Sequence, residues 1–199
     1  MVQINFMEQN RIIEAIKQSI ALKQQILTDK LLLQTINEVT DAIINTFQVK
    51  GKVLFCGNGG SAADAQHLAA EFSGRFYYDR DPLYSEALHV NTSYITAVAN
   101  DYSYNDIYSR LIKAKGAKGD VLVGISTSGN SENIIRAINT ANDLGMIPIG
   151  FTGNNGGKMK DICKYLINVP SNDTPRIQEV HILIGHIVCE LVEAKLFPR

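Results

Sequence analysis

The spacing of apolar residues changes at Gly51, and this change divides the chain into two kinds of pattern. Up to about Gln48, apolar residues recur at helical spacing, which predicts two amphipathic helices. The two sets are Ile12, Ile13, Ile16, Ile20 and Leu22, and then Leu31, Leu32, Ile36, Val39, Ile43 and Ile44. Neither Gly nor Pro occurs before Gly51. Residues 1–48 are therefore expected to form a helical hairpin that packs on the rest of the chain or binds a second subunit.

After Gly51, short apolar runs alternate with helical stretches. The runs predict strands at 52–56, 85–90, 120–126, 146–153 and 165–170. The stretches between them predict helices at 62–74, 132–144 and 176–196. Alternating strands and helices are typical of βαβ units, so we expect an α/β fold with a parallel sheet and right-handed connections.

Composition narrows the classes of function that such a fold can serve. The 199 residues are 45% apolar with a formal net charge of −1, which predicts a buried core and no bulk affinity for nucleic acid or an anionic membrane. No apolar run is long enough to span a bilayer, and the N-terminus lacks the pattern of a signal peptide. Cys56, Cys163 and Cys189 form no CxxC pair, which favours reduced thiols in a cytoplasmic protein.

A run of hydroxyl side chains follows the strand at 120–126. Residues 126–131 read Ser-Thr-Ser-Gly-Asn-Ser, which places four hydroxyls and a glycine between a strand and a helix. Hydroxyls and free backbone amides at a helix N-terminus bind phosphate well, and glycine lets the backbone approach the anion. An ordinary N-cap explains one serine but not four hydroxyls. The run therefore predicts a phosphate site. A nucleotide site is not expected, because GxxxxGK[ST] is absent and 56–61 lacks the GxGxxG spacing.

Two of the predicted helices carry polar residues suited to acid–base chemistry or to a metal. His67 and Glu71 are four residues apart and share one helix face. Gln178 and His186 lie a little over two turns apart on the last helix, on roughly the same side. That helix is otherwise very apolar, so its polar residues need partners. If the two helices meet, these side chains can form a metal site or an acid–base pair, although a His–Glu pair is also common on solvated helices.

Five separated blocks of sequence resemble the sugar isomerase (SIS) domain family and, more narrowly, its phosphoheptose isomerases. They are CGNGGSAADAQHLAAE (56–71), VANDY (98–102), GDVLVGISTSGNS (119–131), GFTGNNGG (150–157) and PRIQEVHILIGHIVCELVE (175–193). The blocks occur in the family's order, and the resemblance extends over about the whole chain. It implies a doubly wound, flavodoxin-like sheet of five parallel strands, in a single SIS domain over residues 1–199. It also implies a cytoplasmic homotetramer with active sites between subunits, in which residues 1–48 are a helical extension used in oligomerisation.

The activity implied by this resemblance is an intramolecular aldose–ketose isomerisation through an enediol. The substrate would be sedoheptulose 7-phosphate and the product D-glycero-D-manno-heptose 7-phosphate. That reaction begins the synthesis of nucleotide-activated heptose for bacterial surface glycans, lipopolysaccharide or capsule. The implied partners are thus a sugar phosphate and further copies of the chain, with no nucleic acid and no membrane.

Matching the family's motifs to this chain assigns roles to individual residues. The resemblance implies that the phosphate is held by Ser126, Thr127, Ser128 and Ser131. Contacts to the sugar are implied for Asn58, Gly59, Gly60, Ser61, Glu71, Asn100, Asp101 and Gln178. The positions that match zinc ligands are His67, Glu71, Gln178 and His186. Glu71 also matches the family's base and His186 its acid, and a carboxylate and a histidine are suitable groups for moving protons between neighbouring carbons.

One position departs from the family pattern. Some relatives carry an Asp shortly before the RIQE block, whereas Pro175 stands there in this chain. Thr174 or Asp173 is therefore expected to take over that contact.

Two other functions are open to a chain with these motifs. A non-catalytic SIS protein that binds the bacterial replication initiator shares the GNG, ISTxGNS and RIQE motifs and a similar Leu-Phe-Pro ending. It lacks an acid at the position of His186, which argues against it here. A sugar-phosphate sensor is the second alternative, but SIS domains of that kind are attached to a DNA-binding module that is missing from these 199 residues.

Overall fold

A computed structural model of the chain describes residues 6–199. The helices in this range are α1 (Phe6–Thr28), α2 (Lys30–Gln48), α3 (Gly60–Ser73), α4 (Thr92–Asp101), α5 (Ile107–Lys115), α6 (Glu132–Asp143) and α7 (Thr174–Leu196). The strands are β1 (Val53–Gly57), β2 (Ser85–Ala87), β3 (Val121–Ile125), β4 (Ile147–Thr152) and β5 (Tyr165–Asn168). Short 3₁₀ turns cover Tyr104–Asp106 and Gly157–Asp161. The first five residues of the extension expected at 1–48 lie outside the described range.

The five strands form one parallel sheet in the order β2-β1-β3-β4-β5. Val53 of β1 is in register with Ser85 of β2 on one side and with Val121 of β3 on the other. This order confirms the doubly wound, flavodoxin-like α/β fold. In such sheets the direction of winding reverses between β1 and β3, and ligands bind beyond the carboxyl ends of those two strands.

Alternating side chains of the central strands enter two separate cores, one on each face of the sheet. Val53 and Phe55 pack with α2, α3 and α7. Leu54 and Cys56 pack on the opposite face, in the core that contains α5 and α6. Burial on both faces explains why these strands read as continuous apolar runs rather than as alternating ones.

The two helices expected before Gly51 are present, and they differ in burial. Asp29 caps α2 through a hydrogen bond from the amide of Leu32 (3.0 Å), and α2 buries residues along its whole length. On α1, by contrast, the side chains of Ile12, Ile16 and Ile20 are 54%, 55% and 50% exposed. An apolar stripe is therefore left in solvent in a single copy of the chain.

The region between β2 and β3 differs most from the sequence-based expectation. The strand expected at 85–90 ends at Ala87, and two helices that the apolar pattern did not predict, α4 and α5, follow it. The helix expected from residue 62 begins two residues earlier, at Gly60. Within residues 6–199, no helix has the combination of length and apolar character that crossing a bilayer requires.

A buried ion pair fastens the amino ends of β1 and β3. Lys52 Nζ lies 2.5 Å from Asp120 Oδ2. The same carboxylate accepts hydrogen bonds from the amides of Lys52 (3.0 Å) and Ala117 (2.8 Å). The bonds to these amides compensate for the desolvation of Asp120, which is 3% exposed. This anchor lies at the edge of the sheet opposite to the ligand-binding edge.

Candidate active site

The hydroxyl-rich loop at 126–131 connects β3 to α6, at the carboxyl edge of the sheet. Ser126 Oγ is 2.9 Å from Ser131 Oγ and 3.5 Å from Ser128 Oγ, so three hydroxyls converge. Ser131 occupies the N-cap position of α6, yet its side chain makes no capping hydrogen bond. The hydroxyl of Ser131 is thus directed to the loop rather than to its own helix. This arrangement suits a bound anion better than the ordinary N-cap that the sequence left as an alternative.

A close backbone contact holds this loop in shape. Gly129 has a φ of +64°, and a Cβ atom on it would overlap the carbonyl of Gly156. The amide of Met159 donates to the Gly129 carbonyl (3.1 Å), and the amide of Lys158 donates to Asn130 Oδ1 (3.1 Å). The loops after β3 and β4 therefore support each other.

An open cavity of about 230 Å³ lies beside the loop. Its walls include Thr127, Ser128, Gly153, Thr174 and Ile177. Of the two residues expected to replace the missing Asp contact, Thr174 lines this cavity, whereas Asp173 lies at the N-cap of α7. The position of Thr174 makes it the better candidate for that contact.

The turn after β1, residues 57–61, is held from the side by two residues that sequence analysis missed. Asn58 exchanges two side-chain hydrogen bonds, both of 2.9 Å, with Asn133 of α6. The hydroxyl of Tyr104 donates to Asn58 Oδ1 (3.0 Å). Gly59 then adopts a φ of +55°, and Ser61 is buried at the first turn of α3. Asn133 and Tyr104 lie 75 and 46 residues from Asn58, and no sequence spacing indicates these contacts.

Helices α3 and α7 pack side by side and run in the same direction. Near their starts, a Cβ on Gly60 would lie 2.5 Å from Nε2 of Gln178. Further along, a Cβ on Gly185 would lie 2.6 Å from the methyl groups of Leu68. Glycines at these two points let the helices approach closely. The condition that the sequence left open, that these two helices meet, is satisfied.

Three polar side chains that sequence analysis selected meet between α3 and α7. One ligand atom from each of His67, Glu71 and His186 can be chosen so that all three lie within 4.8 Å of one another. His67 Nε2 is 3.0 Å from Glu71 Oε1, and the rings of His67 and His186 have centroids 4.9 Å apart. Two imidazoles and a carboxylate at this separation can hold a metal ion.

The electrostatics of this cluster follow from partial burial and from its own charges. Burial lowers the pKa of His186, the neighbouring His67 lowers it further, and Glu71 acts in the opposite direction. Burial raises the pKa of Asp64, one turn before His67 on α3, and His67 partly offsets that rise. Compared with a free imidazole, the neutral form of His186 is therefore favoured. A neutral imidazole can bind a metal through one nitrogen, and it can also donate its remaining N–H to an oxygen.

The remaining predicted residues lie outside this three-residue cluster. Gln178 is on the same helix as His186, but its amide lies against Gly60 at the start of α3. Asn100 and Asp101 are at the end of α4, where Asn100 Nδ2 donates to Asp101 Oδ1 (2.9 Å) and both side chains are exposed. Their roles toward a sugar stay predictions.

Comparison with known proteins yields one family. A model of the SIS domain matches residues 14–153. The phosphoheptose isomerase of Clostridium acetobutylicum is 52% identical over 182 residues, which cover 92% of this chain and 93% of that relative. The solved phosphoheptose isomerase of Neisseria gonorrhoeae superposes with a TM-score of 0.87 at 42% identity, covering 94% of this chain and 98% of that chain. The corresponding structure from Francisella tularensis gives a TM-score of 0.89 at 35% identity, covering 92% and 97%.

Proposed function

We propose that this protein isomerises sedoheptulose 7-phosphate to D-glycero-D-manno-heptose 7-phosphate. This reaction starts the synthesis of nucleotide-activated heptose for a bacterial surface glycan. The chain belongs to the SIS domain family and, within it, to the phosphoheptose isomerases. The observation that carries the proposal is the meeting of Glu71 and His186 across α3 and α7. The hydroxyl-lined loop after β3 adds a place for the phosphate.

The isomerisation needs a base that removes a proton from carbon and an acid that protonates the carbonyl oxygen. Glu71 is assigned as the base that removes a proton from C1 of the ketose. His186 is assigned as the acid that protonates the oxygen at C2, which gives the enediol. Return of a proton to C2 and loss of the proton on the C1 oxygen then give the aldose, so atoms and charge balance. General acid–base groups of this kind contribute about 10²–10⁴-fold each.

The phosphate end of the substrate is assigned to Ser126, Thr127, Ser128 and Ser131. The loop carries neither Lys nor Arg, so hydroxyl hydrogen bonds and the N-terminus of α6 would supply the attraction for the dianion. The sugar is assigned to Asn58, Gly59, Gly60, Ser61, Asn100, Asp101 and Gln178. Support comes from the turn at 57–61, which lies next to the loop at the reversal point of the sheet.

A zinc ion is part of the proposal, held by His67, Glu71 and His186, with Gln178 as the fourth ligand. The donor set fits, because two imidazoles and a carboxylate are already gathered within 4.8 Å. When bound, zinc would supply Lewis acidity toward the carbonyl and enediolate oxygens of the sugar.

The proposal extends to assembly and location. A homotetramer would cover the exposed isoleucines of α1, and it would also cover the cluster, in which the His67 side chain is 49% exposed. A cytoplasmic location is supported by the cysteines Cys56, Cys163 and Cys189, all of which are free thiols. The non-catalytic initiator-binding protein and the sugar-phosphate sensor are not favoured, because this chain retains both proton-transfer candidates and matches the isomerases over 92% of its length.

Incubation of purified protein with sedoheptulose 7-phosphate tests the function directly, with the aldose phosphate followed by NMR. Glu71→Gln keeps the shape of the side chain but removes the base, and His186→Asn removes the acid. Each is expected to lower kcat by at least ~10² while phosphate-ester binding persists. The two losses should not add, because groups that act as a unit cannot be lost twice. Near-normal turnover in a folded variant of either kind would refute the acid–base assignment.

A further inference from the structure

The segment that follows α3 is tied to the C-terminal part of α7 by a deeply buried ion pair. Arg80 Nε lies 3.1 Å from Glu193 Oε1, and the two side chains are 2% and 1% exposed. A buried pair of charges repays its desolvation only when further hydrogen bonds satisfy both groups. Both groups make such hydrogen bonds, and the partners include residues next to the candidate active site.

The guanidinium of Arg80 caps the end of α3. Its Nη1 donates to the carbonyls of Phe72 (2.7 Å), Gly74 (3.0 Å) and Asp81 (3.0 Å). Its Nη2 donates to the carbonyl of Glu71 (2.8 Å). The last carbonyls of a helix lack intrahelical partners, and a cation near them is favourable. One of those carbonyls belongs to the proposed base, so Arg80 holds the backbone from which the Glu71 side chain projects.

The carboxylate of Glu193 holds the other side of the same segment. It accepts hydrogen bonds from the amides of Phe76 (2.9 Å) and Tyr77 (2.7 Å). Burial raises the pKa of Glu193, but the two amides and Arg80 outweigh burial and keep the pKa below its ordinary value. The ring of Phe76, fixed in this way, lies 5.7 Å from the ring of His186.

We propose that Arg80 and Glu193 are positioning residues, which set the separation of Glu71 on α3 from His186 on α7. The proposal rests on the proton-transfer roles given to those two residues under the proposed function. Glu193 follows His186 by seven residues, about two helical turns, so the ion pair and the imidazole lie on the same side of α7. Arg80 and Glu193 are too deeply buried to touch a substrate themselves. A misplacement of about 1 Å between reacting groups can cost on the order of 10²-fold in rate.

Arg80→Lys is the sharpest test, because it keeps the charge but removes the planar fork that reaches several carbonyls at once. We expect kcat to fall by about 10- to 100-fold. KM should stay within about threefold of normal, since the loop at 126–131 is untouched and binding need not change when positioning does. The matched control is Lys52→Arg, the reverse exchange in the ion pair that joins the amino ends of β1 and β3. That variant should keep both kcat and KM.

Zinc titration by calorimetry gives a second readout that needs no sugar. Residues that orient metal ligands typically contribute about 10- to 100-fold in affinity, so Arg80→Lys should weaken zinc binding by about that factor and Lys52→Arg should not. If wild-type protein binds zinc but fails to isomerise the heptulose, the proposed function is wrong, and a weaker zinc affinity in Arg80→Lys still supports the positioning role. Normal kcat and normal zinc affinity in folded Arg80→Lys would overturn it.

Phe76→Leu keeps the test decisive if Arg80→Lys does not fold. The substitution removes the aromatic contact with His186 but leaves the backbone amide of residue 76 bonded to Glu193. We expect kcat to fall by about tenfold or more with little change in KM. An unchanged kcat in this variant would show that the segment does not position the imidazole, which would overturn the proposal.

Discussion

At the scale of single residues, the contacts of the Ser131 hydroxyl distinguish a helix cap from a ligand-binding group, which the sequence alone could not do. A serine directly before a helix is usually an N-cap, and its loss then costs stability. Here the side chain bonds to Ser126 rather than to an amide of α6. Ser131 should therefore matter for ligand affinity more than for folding.

Ser131→Ala and Thr127→Ala are accordingly expected to weaken binding of a phosphate ester, each by about tenfold to a hundredfold, because a hydrogen bond to a charged group is worth roughly 1.5–3 kcal/mol. Binding can be measured by calorimetry with sedoheptulose 7-phosphate and Glu71→Gln as the background. Asp29→Ala is the matched control, since Asp29 is a true side-chain cap of α2. It should lower stability by about 1 kcal/mol and leave affinity alone. Unaltered affinity in both loop variants would contradict the phosphate assignment.

His181 gives the fold a pH dependence of its own. The side chain is fully buried on α7, one ring nitrogen is 3.1 Å from the Thr152 carbonyl, and burial lowers its pKa from 6.5 to about 4. Between these values the unfolded chain binds a proton that the folded chain does not. Above about pH 6.5, His181 is neutral in both states and does not lower stability. As the pH falls from about 6.5 toward 4, protonation of the unfolded chain lowers the free energy of unfolding.

His181→Gln retains a donor toward Thr152 but cannot titrate. The decrease in unfolding free energy between about pH 7.5 and pH 4.5 should be roughly 2–3 kcal/mol smaller in this variant than in wild type. Urea titrations at the two pH values measure the difference, and other titrating groups cancel in it. Equal decreases in the two proteins would contradict the role of His181.

At the scale of elements, the loop after β3 depends on a glycine for two separable reasons. Gly129 has a positive φ, which glycine adopts more readily than other residues. In addition, a Cβ at this position would overlap the carbonyl of Gly156. Gly119 also has a positive φ, of +87°, but apart from Gly119 itself and its two chain neighbours, no atom of residues 6–199 lies within 4 Å of the place its Cβ would take. A substitution at Gly119 therefore isolates the conformational cost.

Gly119→Ala should lower stability by about 1 kcal/mol with kcat and KM unchanged. Gly129→Ala should cost more stability and also raise KM for the phosphate substrate, because the loop must move away from the segment at 156–157. Chemical unfolding and steady-state kinetics measure both quantities. Equal effects of the two substitutions would mean that the contact between the loops does not shape the phosphate site.

The elements also show how far the sequence could lead. Apolar runs predicted all five strands, and the signal was clearest for β1 and β3, in which every residue is buried. Helical spacing predicted α7. Helix α4 was missed because its contact with the core is short: Val98 is its one fully buried residue, and Tyr94, Ile95 and Ala99 pack beside it only partly buried. The pairing of His67 with Glu71 follows from spacing, whereas the contacts of Asn58 with Asn133 and of Arg80 with Glu193 depend on packing between distant segments. Periodicity carries no information about such contacts.

At the scale of the whole molecule, α1 carries an apolar stripe that a single copy of the chain leaves exposed to solvent. Ile12, Ile16 and Ile20 recur every four residues and remain about half exposed. Contiguous exposed apolar surface of this kind marks an interaction site. The proposed tetramer would bury it.

Light scattering at micromolar concentration should report a tetramer for wild type. Ile16→Glu combined with Ile20→Glu should shift the mass toward smaller species, because burying unpaired carboxylates in an apolar contact is costly. Ala114→Glu, an exposed position on α5 in the opposite layer, adds a carboxylate without touching the stripe and should leave the mass unchanged. A monomeric wild-type protein would remove both the assembly and the shared site from the proposal.

The anchor at the amino ends of β1 and β3 has a consequence for protein engineering. Lys52, Asp120 and the hydrogen bond from Thr46 to the Gly119 carbonyl (3.0 Å) lie at the amino ends of β1 and β3, and none of these residues is assigned to the reaction. Heat-tolerant variants usually lose activity when the stabilising changes stiffen a site that must adapt to its ligand. In this enzyme, stabilising substitutions at residues 46–52 and 117–120 should therefore raise heat tolerance while activity is kept, which would help its use as a biocatalyst.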